Sequence, residues 1–254
     1  MENRSYFFHI KKGEGRRSFV FIHGTGGDHT HMSPLFDHFS KQNIALNLDL
    51  RGHGKSEKPE GEYTIEGFAE DIYQLCKLEK IPHPILVGFS MGGNIGIELA
   101  SRHPDFPSAL VLLDSSFLYP ESFLKVMHQY AADLKGTDED FRRCIHQIVE
   151  NGLLPKDRCK QYVEKSLLST PQRVWASALG NMILWDKKTP ERLKKCRLPI
   201  LYIEAASRLV NLELFQELCP QLIHGKVIGS GHSISLEVPE QVIPMIDRFV
   251  EIYL

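Results

Sequence analysis

The sequence predicts an α/β fold: a mostly parallel sheet of about seven strands, helices on both faces, and a helical insert late in the chain. Strand-sized apolar runs at 6–10, 19–22, 44–48, 85–88, 109–113, 200–204 and 224–228 alternate with helical patterns at about 32–41, 65–79, 91–102, 211–218 and 238–252. Strands that alternate with helices pair in parallel, because each helical crossover returns the chain to the same end of the sheet. Residues 118–190 break the alternation, with helical stretches at about 121–134, 138–151, 156–168 and 171–184 and no strand among them. A chain of 254 residues with 42% apolar side chains suits one domain with a large core.

Each element has a local reason. The runs at 19–22 (Phe-Val-Phe-Ile), 44–48 (Ile-Ala-Leu-Asn-Leu) and 109–113 (Ala-Leu-Val-Leu-Leu) are short, apolar and of strand length. His83-Pro84-Ile85-Leu86-Val87 supplies another strand, and Ile95, Leu99 and Ala100 repeat at helical spacing immediately after it. The helices of the insert are punctuated by Gly136-Thr137, by 151–155 (Asn-Gly-Leu-Leu-Pro) and by Thr170-Pro171. An amphipathic pattern from 238 to 252 closes the chain.

Bulk properties exclude several function classes. A formal charge of −2 gives no electrostatic reason to bind nucleic acid or an anionic membrane. No apolar stretch approaches the roughly 18–20 residues that span a bilayer, and Met1-Glu2-Asn3-Arg4-Ser5 lacks the apolar run of a signal peptide. The cysteines, Cys76, Cys144, Cys159, Cys196 and Cys219, are odd in number and form no Cys-x-x-Cys. That argues against a disulfide framework or a thiolate zinc site and predicts a cytoplasmic protein. His29 and His31 stand two apart without a metal-binding spacing, so a polar loop near an active-site mouth is expected there and no metal or cofactor is called for. Nothing in the sequence fixes the oligomeric state.

Four motifs carry chemistry. Residues 88–92 read Gly-Phe-Ser-Met-Gly between a strand and a helix. A turn this tight leaves no room for a Cβ at Gly88 or Gly92, and it holds the hydroxyl of Ser90 exposed on a strained backbone. Residues 19–27 run from an apolar strand into His23-Gly24-Thr25-Gly26-Gly27. Residues 49–56 (Asp-Leu-Arg-Gly-His-Gly-Lys-Ser) follow the strand at 44–48, and 229–240 place His232 on a glycine-flanked loop before the final helix. In order and spacing these resemble the α/β-hydrolase superfamily over nearly the whole chain, from about Phe19 to Leu254. The resemblance implies a core of 1–117 and 191–254 with a helical cap at 118–190, one strand fewer than usual at the amino end, and a nucleophile covered by the cap.

The resemblance also assigns roles. Ser90 becomes the nucleophile and His232 its general base, while His23 and His53 are read as loop-bracing. Only neutral imidazole accepts the serine proton, so turnover needs His232 in its uncharged form. The oxyanion would be met by the backbone N–H groups of Met91 and Thr25. The acid departs from the common pattern: where most members carry an aspartate past the 200–204 strand, this chain has Ser207 and Arg208. Asp114, at the end of the 109–113 strand, is the expected acid, as in some lipases and haloalkane dehalogenases; Glu204 is the alternative, and a degraded triad the third outcome. A serine nucleophile attacks acyl carbon, unlike the aspartate of the dehalogenases and epoxide hydrolases. The expected activity is hydrolysis of a carboxylic ester, thioester or lactone of a small, partly apolar acyl compound. Carbon–carbon bond hydrolysis, perhydrolysis and a non-catalytic receptor are the alternatives. Phe89, Phe117, Phe123, Met127, Met182 and Trp185 are candidate pocket walls.

Overall fold

The computed structural model describes residues 7–154 and 159–254. Tyr6, expected to open the first strand, and residues 156–158, expected to begin the third helix of the insert, lie outside them. Among the described residues the strands are β1 (His9–Lys12), β2 (Ser18–Ile22), β3 (Ile44–Leu48), β4 (Ile85–Phe89), β5 (Ala109–Leu113), β6 (Ile200–Glu204) and β7 (Leu222–Lys226). They form one seven-stranded sheet in the order β1-β3-β2-β4-β5-β6-β7. Only β1 runs antiparallel, against β3; the other pairings are parallel. The helices are α1 (Ser33–Phe39), α2 (Ile65–Leu78), α3 (Met91–Arg102), α4 (Glu121–Asp133), α5 (Asp138–Gly152), α6 (Lys160–Ser169), α7 (Gln172–Asp186), α8 (Thr189–Lys195), α9 (Leu212–Leu218), α10 (Ile234–Glu237) and α11 (Pro239–Tyr253).

Side chains alternate across each strand, so the sheet feeds two cores. Phe19, Phe21, Val87, Val111 and Leu113 pack with Leu35, Phe36 and Phe39 of α1 and Val242, Ile246 and Phe249 of α11. Val20, Ile22, Leu86, Leu110 and Leu112 face the other way, onto Phe68 and Ile72 of α2 and Ile95 and Leu99 of α3. Helices α4–α7 extend this second core through Met127, Phe141, Ile145, Val174 and Trp175.

Two edge strands differ from expectation. β1 is shifted to His9–Lys12, where Lys11 and Lys12 are exposed. An edge strand tolerates lysines, and they blunt its open side, so the apolar run at 6–10 misplaced it. β7 begins at Leu222 because its register is set by β6, with Ile200 opposite Leu222 and Glu204 opposite Lys226. The ladder ends where β6 ends, which leaves Ile228 82% exposed. The helix α8 had no counterpart in the sequence reading.

The ends of the α4–α7 segment are tied together. Asp186, at the end of α7, accepts the backbone N–H of Leu118 at 2.6 Å and of Tyr119 at 3.3 Å. Thr170 donates to the Gly26 carbonyl at 2.9 Å, and the Ser177 hydroxyl accepts the Tyr63 N–H at 2.9 Å. Trp175 lies directly over Gly26, whose φ of +74° and lack of room suit glycine alone: a Cβ there would sit 1.8 Å from the indole.

Candidate active site

The turn between β4 and α3 sets the geometry. Ser90 has φ 51° and ψ −121°, a conformation most side chains avoid. It is held by its N–H donating to Leu113 O at 3.0 Å and its carbonyl accepting from Gly93 N at 2.9 Å. The close turn depends on missing side chains. A Cβ on Gly88 would lie 2.3 Å from Gly92 O, and one on Gly92 would lie 2.2 Å from Ile22 O.

Ser90 Oγ lies 3.1 Å from His232 Nε2, and Asp114 Oδ2 lies 2.7 Å from His232 Nδ1. With the carboxylate accepting from Nδ1–H, Nε2 keeps a lone pair directed at the serine hydroxyl. Asp114 is buried and also sits at positive φ, 41°. Its Oδ1 accepts the Ala205 N–H at 2.8 Å, so the start of the loop after β6 braces the carboxylate. The His232 N–H donates to Gly152 O at 2.5 Å, tying the histidine loop to the end of α5. Glu204 is directed elsewhere: its carboxylate lies 3.4 Å from His224, 3.5 Å from Lys226 and 3.6 Å from Arg208, towards the β7 edge.

Met91 opens α3, where the first N–H groups of a helix have no partner within it. Thr25 stands across from it, its hydroxyl 3.3 Å from Met91 Sδ, and Gly24 is close enough that a Cβ would touch Ser90 Cβ at 3.0 Å. His23 braces the loop: Nδ1 donates to Gly24 O at 2.7 Å and Nε2 accepts the Leu50 N–H at 3.0 Å. His29 meets a carboxylate, donating from Nδ1 to Asp49 Oδ1 at 2.7 Å. Asp28, His29 and Asp49 place potential ligand atoms within 4.8 Å of one another. Asp49 also accepts the Lys55 N–H at 2.7 Å, so the cluster knits two loops.

Ser90 opens into a cavity of about 510 Å³, within the range of small-molecule sites. Its walls come from both parts of the chain: Thr25, Phe89 and His232 from around the sheet, Phe123, Met127, Val163, Leu179 and Met182 from α4–α7. Two expected wall residues are elsewhere. Phe117 packs edge-on to Phe215, and the indole N–H of Trp185 donates to the buried Glu98 at 2.8 Å. Both apolar rings sit at helix or loop positions whose facing partner a one-dimensional pattern does not specify. His31, on the loop expected near an active-site mouth, also lines the cavity.

Several buried histidines carry a stability consequence. Burial pushes His53 down to about 3 and His31 down to about 4, and lowers His23 despite the opposing charge of Asp49. His53 Nδ1 donates to Arg51 O at 2.9 Å, and its Nε2 is buried with no partner among the described residues. Protonation there would bury an N–H without an acceptor. Unfolded histidines take up protons near pH 6.5, so between about pH 6.5 and 4 the unfolded chain binds more protons than the folded one. Folded stability therefore falls as pH falls through that window, by up to about 1.4 kcal/mol per pH unit per histidine. Denaturant titrations should show a lower midpoint at pH 5 than at pH 7, and His53→Asn should reduce the difference. An unchanged midpoint would contradict this.

Residues 17–239 match the α/β hydrolase fold family, and the chain belongs to it. It is similar to the AB hydrolase superfamily protein YisY of Bacillus subtilis, 26% identical over 254 residues, covering 93% of this chain and 92% of that one. It is 34% identical over 104 residues to the 2-(acetamidomethylene)succinate hydrolase of Mesorhizobium japonicum, a stretch covering 41% of this chain and 37% of that one. The crystal structure of the enol-lactonase from Burkholderia xenovorans LB400 shares the fold with a TM-score of 0.85 at 20% identity, covering 96% of each chain. No helix among the described residues is long and apolar enough to cross a membrane.

Proposed function

We propose that this chain is a serine hydrolase that cleaves an ester, thioester or lactone of a small, partly apolar acyl compound through an acyl-enzyme on Ser90. The observation that carries the reading is the unbroken chain from Asp114 through His232 to Ser90, opening into a largely apolar cavity. Ser90 Oγ attacks the acyl carbon as its proton passes to His232 Nε2. The negative charge that develops on the carbonyl oxygen is met by the N–H groups of Met91 and Thr25. The intermediate collapses, and the leaving alcohol or thiol takes the proton from His232. Water then attacks the acyl-enzyme with His232 again as base, releasing the acid and regenerating Ser90. Asp114 keeps Nδ1 protonated and stabilises the imidazolium in both halves. Turnover of a panel of p-nitrophenyl esters, thioesters and lactones tests the reading; no turnover of any member would count against it.

Residues 118–190 act in this reading as a cap that excludes water and shapes the acyl site. Leu179 faces the cavity from α7. Leu179→Trp should lower the ratio of kcat/KM for octanoyl over acetyl esters by about 10-fold or more, on the scale that a few methylenes are worth in an apolar pocket. An unchanged ratio would argue that the segment only stabilises the sheet. Arg208 favours a second reading, hydrolysis of a carbon–carbon bond in a carboxylate-bearing substrate, because it lines the cavity with its side chain 57% exposed.

A further inference from the structure

His31 is a polar side chain in an otherwise largely apolar wall, and its hydrogen bonds define which nitrogen carries the proton. Ser166 of α6 donates its hydroxyl hydrogen to Asp28 Oδ2 at 3.1 Å. Asp28 also accepts from the Thr30 N–H at 2.8 Å and the Thr30 hydroxyl, and these bonds hold its carboxyl below the usual range, so it accepts as a carboxylate. A hydroxyl has one hydrogen. With that hydrogen directed at the Asp28 carboxylate, Ser166 Oγ, 2.9 Å from His31 Nε2, is left to accept from Nε2–H. That leaves Nδ1 with its lone pair.

His31 is 1% exposed, and burial keeps it neutral above about pH 4. Nδ1 has no hydrogen-bond partner among the described residues, and it is not one of the unpartnered side-chain atoms sealed in the interior. The ring packs against Gly27, where a Cβ would stand 3.0 Å from Nδ1, and His31 borders the cavity. The backbone of His31 is fixed as well, its carbonyl accepting from the Ser235 hydroxyl at 2.8 Å. The ring thus cannot swing easily or change tautomer without breaking the Ser166 bond. A neutral imidazole held this way beside the cavity presents a fixed acceptor.

We propose that His31 is a specificity-determining residue: its Nδ1 accepts a hydrogen bond from an N–H or O–H group on the acyl portion of the substrate, so that donor-bearing acyl compounds are preferred over plain alkyl ones. This rests on the hydrolase reading above. Asp28 and Ser166 are positioning residues that hold the acceptor tautomer. A buried acceptor left unpaired by a plain acyl chain costs binding, and that cost generates the discrimination.

The test uses matched p-nitrophenyl esters of N-acetylglycine, N-acetyl-β-alanine and N-acetyl-γ-aminobutyrate, each beside its N-methylated twin, in which a methyl group replaces the donor hydrogen. For at least one spacing the wild type should prefer the N–H ester by about 10-fold or more in kcat/KM. His31→Phe should bring that ratio close to unity, whatever happens to the absolute rates. An equal ratio in wild type and His31→Phe, or no preference at any spacing, overturns the proposal. A second measurement needs no variant and no turnover. Nitrogen-15 NMR of the intact protein near neutral pH should show His31 protonated at Nε2 and bare at Nδ1, with the Nδ1 resonance moving on addition of N-acetyl amino acids but not of their N-methyl twins. A protonated Nδ1, or equal responses to both twins, overturns it. Failure of the hydrolase reading shows separately, as absence of Ser90-dependent turnover of p-nitrophenyl hexanoate.

Discussion

Ser90→Ala is expected to lower kcat on an activated ester by roughly five to six orders of magnitude, the scale on which removal of a catalytic serine acts. The cause is chemical. Alanine offers no atom to form the acyl-enzyme, and what remains is water attacking within a cavity whose oxyanion donors are still in place. The fold should survive, because the strained turn is held by backbone bonds from Ser90 to Leu113 and Gly93 and by the room that Gly88 and Gly92 leave. Alanine meets the same positive φ as serine, so circular dichroism and the thermal midpoint should stay close to wild type. Retained turnover at even a hundredth of the wild-type rate, in protein purified free of other esterases, would point to a different nucleophile.

Asp114→Asn should lower kcat by roughly 10⁴, with little change in KM. The amide would offer an N–H where the carboxylate accepts one. His232 would then favour the tautomer protonated at Nε2 and point a donor at Ser90, the wrong direction for a base. The variant also weakens the bond from Ala205 N–H to Asp114 Oδ1, 2.8 Å in the native chain, so a modest loss of stability is expected beside the catalytic one. Glu204→Gln is the control. Its carboxylate faces His224, Lys226 and Arg208, none of which belongs to the Asp114–His232–Ser90 chain. Its effect on kcat should stay within about 10-fold. If Glu204→Gln is the more damaging of the two, the acid has been placed on the wrong strand.

The sheet and much of the site geometry were legible because they are local. The alternation of strand and helix and the glycine spacing around Ser90 are written in consecutive residues. The contact of Asp114 with His232 was legible by a simpler route: of the two strand ends expected near the histidine, only one carries an aspartate. What stayed hidden depends on partners far along the chain. The partner of His31 Nε2 is Ser166, 135 residues away, and the acceptor for the His232 N–H is Gly152 at the end of α5. His29 meets Asp49, twenty residues on, through the packing of two loops. The edge strands slipped because pairing with a neighbour, and not apolar content, sets where an edge begins and ends. Trp185 and Phe117 are as apolar as the residues that line the cavity, and only the packing of α3, α7 and α9 puts them in the core instead.

The central claim is that Ser90 is the nucleophile, and its most direct test is site mapping of a fluorophosphonate adduct. Wild-type protein incubated with the probe at neutral pH, digested and analysed by mass spectrometry should carry one adduct per chain, on the peptide that contains Ser90. Ester turnover should be lost in step with labelling, and Ser90→Ala should take up none. Labelling that settles on another serine, or that persists in Ser90→Ala with turnover intact, would contradict the account.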